Sequence, residues 1–93
     1  MKLLDTEELG IPDVYIVRFG RFCDDRGYFT EHFRRSQFED EISFLSNVTF
    51  VQANESNSKK GVVRGLHFQW NPFMGKLVRT VHGTMIDLFL DIR

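Results

Sequence analysis

Apolar residues fall at every second position in the last stretch of the chain. Over residues 84–92, TMIDLFLDI, the side chains of Ile86, Leu88, Leu90 and Ile92 share one face, and Asp87, Phe89 and Asp91 share the other. That period of two marks a half-buried strand, because successive side chains of an extended backbone point to opposite sides. The same reading predicts strands over residues 14–19 (VYIVRF), 28–33 (YFTEHF), 49–54 (TFVQAN), 62–69 (VVRGLHFQ) and 76–82 (KLVRTVH). Turn-forming clusters separate them: Gly10-Ile11-Pro12-Asp13, Asp24-Asp25-Arg26-Gly27, the polar run ESNSKKG, Asn71-Pro72-Phe73-Met74-Gly75, and Gly83.

One segment has a different period. Phe38, Ile42 and Leu45 recur at helical spacing and form a single apolar stripe. Ser36 and Glu39 stand three apart, the spacing of a capping box. The pattern predicts one short helix from about Ser36 that ends near Ser46-Asn47. Several short strands with regular turns and one helix give a mainly β protein, an antiparallel sandwich or barrel. The sequence stops at Arg93, directly after its most regular strand. An unblunted sheet edge invites pairing with further chain, and the expectation is the front half of a larger β domain.

Composition narrows the class. The chain has 93 residues, 42% of them hydrophobic and ten of them phenylalanine, which suits one small folded domain with a modest core. A net charge of -1 offers no basic excess for nucleic acid. The single thiol, Cys23, can close no internal disulfide and builds no metal site by itself, so it reads as a small, buried or half-buried apolar residue. The opening MKLLDTEELG lacks the apolar run of a secretory signal, and no segment approaches the about 20 apolar residues of a membrane span. A cytoplasmic protein without membrane or nucleic-acid partners is expected.

The polar residues inside the apolar runs carry the candidate chemistry. Strict alternation in 62–69 would point Arg64 and His67 apart. Gly65 between them marks a bulge or a close backbone approach that would let both face one cavity. Gln52 and Asn54, two apart, share a face. Lys76 opens its strand, and Arg26 and Glu31 frame the aromatic strand. Arginine suits phosphate through its paired donors, histidine suits proton abstraction near neutrality, and lysine stabilises an oxyanion. Each residue also has a plain structural reading. Arg26 fits a solvated turn, Glu31 and Arg64 fit an ion pair, and Gln52 and Asn54 fit strand edges. Lys76 fits a surface strand start, and His67, like His32 and His82, fits a satisfied strand histidine. Trp70 reads as a core or interface aromatic. Residue patterns alone lead to a β domain with a polar cavity.

The order of motifs goes further. D-D-R-G-Y-F-x-E, then Q-A-N-x-S-x-S-x-x-G-V-V-R-G-L-H-F-Q, then G-K-L-V-R-x-V-x-G-x-x-x-D-x-x-x-D-I-R closely resembles the dTDP-4-dehydrorhamnose 3,5-epimerase family from about Ile11 to the end of the sequence. The resemblance implies a cupin-type jelly roll that dimerises by sharing strands between subunits. It implies a dTDP-linked 4-keto-6-deoxy sugar as substrate. The reaction would be epimerisation at C3 and C5 of dTDP-4-dehydro-6-deoxy-glucose to dTDP-4-dehydrorhamnose, by proton removal next to the C4 ketone. Neither cofactor nor metal is implied, and His67-Phe68-Gln69 lacks the H-x-H pair of metal-binding cupins. By position, His67 would be the general base and Lys76 would stabilise the enolate at O4. Arg26 and Arg64 would hold the substrate, at least partly through its diphosphate. Glu31, Gln52, Ala53 and Asn54 would contact nucleotide or sugar, Ala53 through its backbone.

Members of that family are longer, so the resemblance covers their N-terminal half. Residues 1–93 are expected to be the N-terminal portion of a single cupin-type epimerase domain, with the C-terminal half absent. That half would bring the tyrosine that returns the proton and the aspartate that orients the histidine. The 93 residues alone are therefore expected to be inactive. Met74 stands where many members carry a polar residue, which leaves the exact sugar open. The alternatives are a relative acting at C3 only or C5 only, and a non-catalytic half domain that binds a nucleotide sugar or completes a sheet.

Overall fold

A computed structural model describes residues 3–93 of the chain, which divides into two units, Met1–Asn54 and Glu55–Arg93. The first holds the regular structure. Strands β1 (Leu3–Glu8) and β2 (Tyr15–Phe19) form an antiparallel pair, with Glu8 opposite Tyr15, Asp5 opposite Arg18, and an irregularity between Leu3 and Asp5. The predicted turn joins them. The Val14 N–H donates to the Ile11 carbonyl at 3.3 Å, Pro12 occupies the second position, and Asp13 adopts φ 67°. Proline pre-sets the second residue of such a turn, and aspartate tolerates the left-handed third position.

β2 alternates as its sequence requires. Tyr15, Val17 and Phe19 are half-buried, whereas Ile16 and Arg18 are exposed. Arg18 reaches across to β1 and bonds Asp5 at 3.3 Å and Glu7 at 2.9 Å. β1 itself had no apolar alternation to announce it. Its sequence, LLDTEE, becomes a strand because β2 supplies its ladder.

Helix α1 (Arg35–Glu41) packs on the inner face of β2 and runs into a 3-10 turn, Ser43–Asn47. The predicted stripe forms. Phe38 and Ile42 are 2% and 3% exposed, and Leu45 packs against them with Tyr15, Val17 and Phe19. Period two on the strand thus meets a helical period on one small core. The Phe38 ring stacks on Phe33 at 4.8 Å and meets Phe19 edge-on at 5.9 Å. The capping box does not form. The helix begins one residue before Ser36, the N-cap is Arg34, and no side chain caps it. Glu39 pairs instead with Arg35 at 2.6 Å, one turn back. Ile42, with φ -127° and ψ 96°, ends the helix.

Strands β3 (Phe22–Asp24) and β4 (Gly27–Phe29) make a hairpin around Asp25-Arg26. The β-like run predicted for 28–33 stops at Phe29, where Thr30 donates its hydroxyl to the Gly20 carbonyl at 2.8 Å. Both faces of this two-stranded hairpin are exposed, so Cys23 is an exposed free thiol rather than the buried residue expected.

No strand forms in residues 48–93 among the described residues, which corrects the reading of 49–54, 62–69, 76–82 and 84–92. The turn after Lys59 and the bends at Asn71-Pro72 and at 81–83 do appear. The alternating segment carries its apolar face in the open, with Ile86 85%, Leu88 75% and Leu90 72% exposed. Alternation defines which face a strand would bury, but a ladder also needs a second strand to accept its N–H groups. The architecture observed is two small antiparallel sheets and one short helix. No helix among the described residues is long and apolar enough to cross a membrane.

Candidate functional site

In the first unit the turn chemistry of the hairpin positions Arg26. Asp24 accepts the Arg26 backbone N–H on Oδ1 at 2.8 Å, an aspartate turn that caps the loop. Its other oxygen accepts from Arg26 Nε at 3.1 Å and from Nη2. Gly27 follows at φ 133°, a value open to glycine alone. The charged bonds from Arg26 hold the Asp24 carboxyl below its usual range. Arg26 lines a hollow on the hairpin with Asp24, Tyr28 and Phe29. On the same hairpin Arg21 stacks over the Tyr28 ring, 4.3 Å from its centre.

Glu31 is half-buried and engaged bidentately by Arg34, at 2.6 and 2.8 Å. These bonds lower the Glu31 pKa. Gln52, Ala53 and Asn54 are exposed. Gln52 Nε2 donates to Asn54 Oδ1 at 3.3 Å, so the two amides do lie side by side.

The second unit carries Arg64, His67 and Lys76, all exposed. Gly65 adopts φ 103°, which breaks the alternation of 62–69 at the glycine. A Cβ there would lie 3.4 Å from the His67 amide nitrogen and 3.6 Å from its Nδ1. The close approach expected at this glycine is therefore an approach to His67 itself. Because 62–69 joins no ladder, the kink is not a bulge within a sheet. Arg64 turns back on the preceding loop, donating from Nε to Ser58 Oγ at 2.9 Å and from Nη2 to the Asn57 carbonyl at 3.2 Å. His67 and Lys76 make no hydrogen bond or ion pair with other described residues. Trp70 is exposed and meets Phe73 edge-on at 5.0 Å.

Asp24, Asn57 and Ser58, which hold Arg26 and Arg64, were not among the candidate residues. For Asp24 the signal was present, since aspartate first and glycine fourth is a turn signature. Ser58 stands in the quoted family motif, but its bond to Arg64 was not foreseen because that partner is six residues away across a turn. Among the described residues no group of three His, Cys, Asp or Glu side chains could hold a metal ion.

Comparison with known proteins supplies the context for these residues. Residues 8–93 match the family described as dTDP-4-dehydrorhamnose 3,5-epimerase. The chain is 47% identical over 94 aligned residues to the dTDP-4-dehydrorhamnose 3,5-epimerase of Shigella flexneri, covering 100% of this chain and 49% of that protein. Against the Escherichia coli K12 protein of the same name it is 46% identical, covering 100% and 48%. Against that of Neisseria gonorrhoeae it is 45% identical, covering 100% and 26%. The chain spans about half the length of the first two relatives and about a quarter of the third. No solved structure matches it. Because the match takes in nearly the whole sequence, and every residue from Arg26 to Lys76 named above, this chain belongs to the dTDP-4-dehydrorhamnose 3,5-epimerase family.

Proposed function

We propose that this chain forms the N-terminal portion of a cupin-type epimerase domain. That domain inverts C3 and C5 of dTDP-4-dehydro-6-deoxy-glucose to give dTDP-4-dehydrorhamnose. The observation that carries the reading is the family match over residues 8–93, which contains all the candidate site residues. A hydrogen beside the C4 ketone is acidic because the electrons left behind spread onto O4 as an enolate. His67 takes that proton, imidazole being the side chain most often used as a general base. Lys76 places its ammonium by the oxygen that gains charge. Arg26 and Arg64 hold the diphosphate through paired N–H donors. Glu31, Gln52, Asn54 and the backbone of Ala53 contact nucleotide or sugar. The ketone serves as the electron sink, so the scheme calls for no cofactor or metal. Inversion also needs a proton delivered to the opposite face of the sugar, a role outside the residues assigned here.

The open apolar face of Ile86, Leu88 and Leu90 supports the jelly-roll architecture in this proposal, because such a face is buried when its strand joins a sheet that packs against a second layer. Strand exchange in a homodimer is one way to pair it.

The test uses the full-length protein, incubated with substrate in deuterated water and followed by NMR. Label at both C3 and C5 is expected. Label at one carbon alone overturns the double epimerisation in favour of a single-centre relative. His67→Ala should slow exchange by at least about 100-fold, the usual contribution of a general base, and leave dTDP affinity unchanged. Exchange that survives His67→Ala removes the base. Calorimetric dTDP binding with no exchange in the unmodified protein favours a non-catalytic nucleotide-sugar module.

A further inference from the structure

The approach to Arg64 is shaped by a turn. The Val62 N–H donates to the Lys59 carbonyl at 3.2 Å, with Gly61 at φ 84° in the third position. That is type II turn geometry, which glycine accepts and other residues resist. The reversal brings Asn57 and Ser58 alongside Arg64. A guanidinium carries five N–H donors in one plane, arranged along a side edge and an outer edge. Nε and the adjacent Nη2 hydrogen make up the side edge. These are the groups that Ser58 Oγ and the Asn57 carbonyl engage, at 2.9 and 3.2 Å. The outer edge, Nη1 with the second Nη2 hydrogen, is unengaged among the described residues. It is a two-pronged donor of the kind that matches phosphate oxygens.

We propose that Ser58 is a positioning residue for substrate binding. Its hydroxyl, with the Asn57 carbonyl, fixes Arg64 by the side edge and so presents the outer edge to a diphosphate. The proposal rests on the reading of Arg64 as a diphosphate ligand. Its physical content is preorganisation. A long side chain held in advance loses less freedom on binding, and its unused donors already point outward.

Calorimetry on the full-length protein with dTDP and with thymidine tests this. Ser58→Ala should weaken dTDP binding about fivefold, the loss of one charge-assisted hydrogen bond partly shared with solvent, and leave thymidine affinity unchanged. Ser58→Thr should restore dTDP binding, because it keeps the hydroxyl. In an Arg64→Ala background, Ser58→Ala should add no further loss. If Arg64→Ala weakens dTDP binding but Ser58→Ala does not, the positioning role is wrong and the reading of Arg64 stands. If Arg64→Ala binds dTDP normally, that reading fails and takes the positioning role with it. Equal loss for dTDP and thymidine, or no rescue by threonine, makes Ser58 merely structural and overturns the proposal. A second measurement needs no variant at all: the Arg64 Nε–H signal in NMR should exchange slowly with water both before and after dTDP is added. Fast exchange in both states refutes the side-edge anchor.

Discussion

Phe38 is the residue on which the folded part of this chain depends most, and Phe38→Ala is the perturbation that shows it. The ring is 2% exposed and sits between the aromatic rings of Phe33 and Phe19, at 4.8 and 5.9 Å. Burying a phenylalanine side chain stabilises by about 1.5–3 kcal/mol. Each aromatic pair adds about 0.5–1.5 kcal/mol. Truncation to alanine loses most of both and leaves a cavity, so a cost of about 3–5 kcal/mol follows. A single core of this size rarely supplies more than about 3–5 kcal/mol in total, and Phe38 and Ile42 are the only buried hydrophobic residues among those described. Phe38→Ala should therefore bring residues 1–54 to the edge of unfolding. Phe44→Ala is the control. That ring is 39% exposed and meets only Tyr15 at 6.1 Å among the described aromatic contacts, so its loss should cost about 1 kcal/mol. Urea titration followed by near-ultraviolet circular dichroism, with hydrogen exchange at the Ile42 amide, measures both. Should Phe38→Ala unfold within about 0.5 kcal/mol of the parent, the ordinary range for surface changes, or should Phe44→Ala cost as much, the core has been placed wrongly.

Two further outcomes follow from the site. Because Arg26 depresses the Asp24 pKa, the pair contributes stability that is present above the unfolded carboxyl value of 3.8 and is lost as pH falls through the lower folded value. NMR contacts between Cys23 and Tyr28 across the hairpin should hold from neutral pH to about pH 5 and weaken only in stronger acid, and Arg26→Ala should raise the Asp24 midpoint towards the ordinary range, the backbone N–H bonds to the carboxyl remaining; an unshifted Asp24 in the parent would contradict the pairing. Gly65→Ala meets a strained φ of 103° and contact with the His67 amide and ring. Through displaced His67, it should slow deuterium exchange into substrate by about tenfold or more, the scale of 1–2 kcal/mol of backbone strain, with dTDP affinity unchanged, and equal rates in the two proteins would refute the link.

Several elements were legible in the residues alone. The Pro12 turn, the Asp24–Gly27 turn and the turn before Val62 form where local chemistry puts them, because a turn is decided by the φ preferences of about four neighbours. The stripe of Phe38, Ile42 and Leu45 and the alternation of Tyr15, Val17 and Phe19 were equally legible, since periodicity states which side chains share a face. The family motifs named the candidate chemistry from Arg26 to Lys76 for the same reason: they are stretches of contiguous sequence.

What tertiary structure alone decided was the choice of partner. β1, two leucines followed by four polar residues with no alternation, became a strand because β2 accepted its ladder, whereas the far better alternation of 84–92 found no ladder among the described residues. Ser36 and Glu39 had capping-box spacing, yet the helix began earlier and Glu39 took Arg35. Cys23 was exposed because neither face of its hairpin was covered. Arg26, Glu31 and Arg64 each proved to be held by a neighbour, Asp24, Arg34 and Ser58, that residue type did not single out. A sequence records what each segment can bury or donate. Which group receives it is a relation between segments, set only when the chain has folded and the competing pairings have been weighed against the entropy of closing each loop.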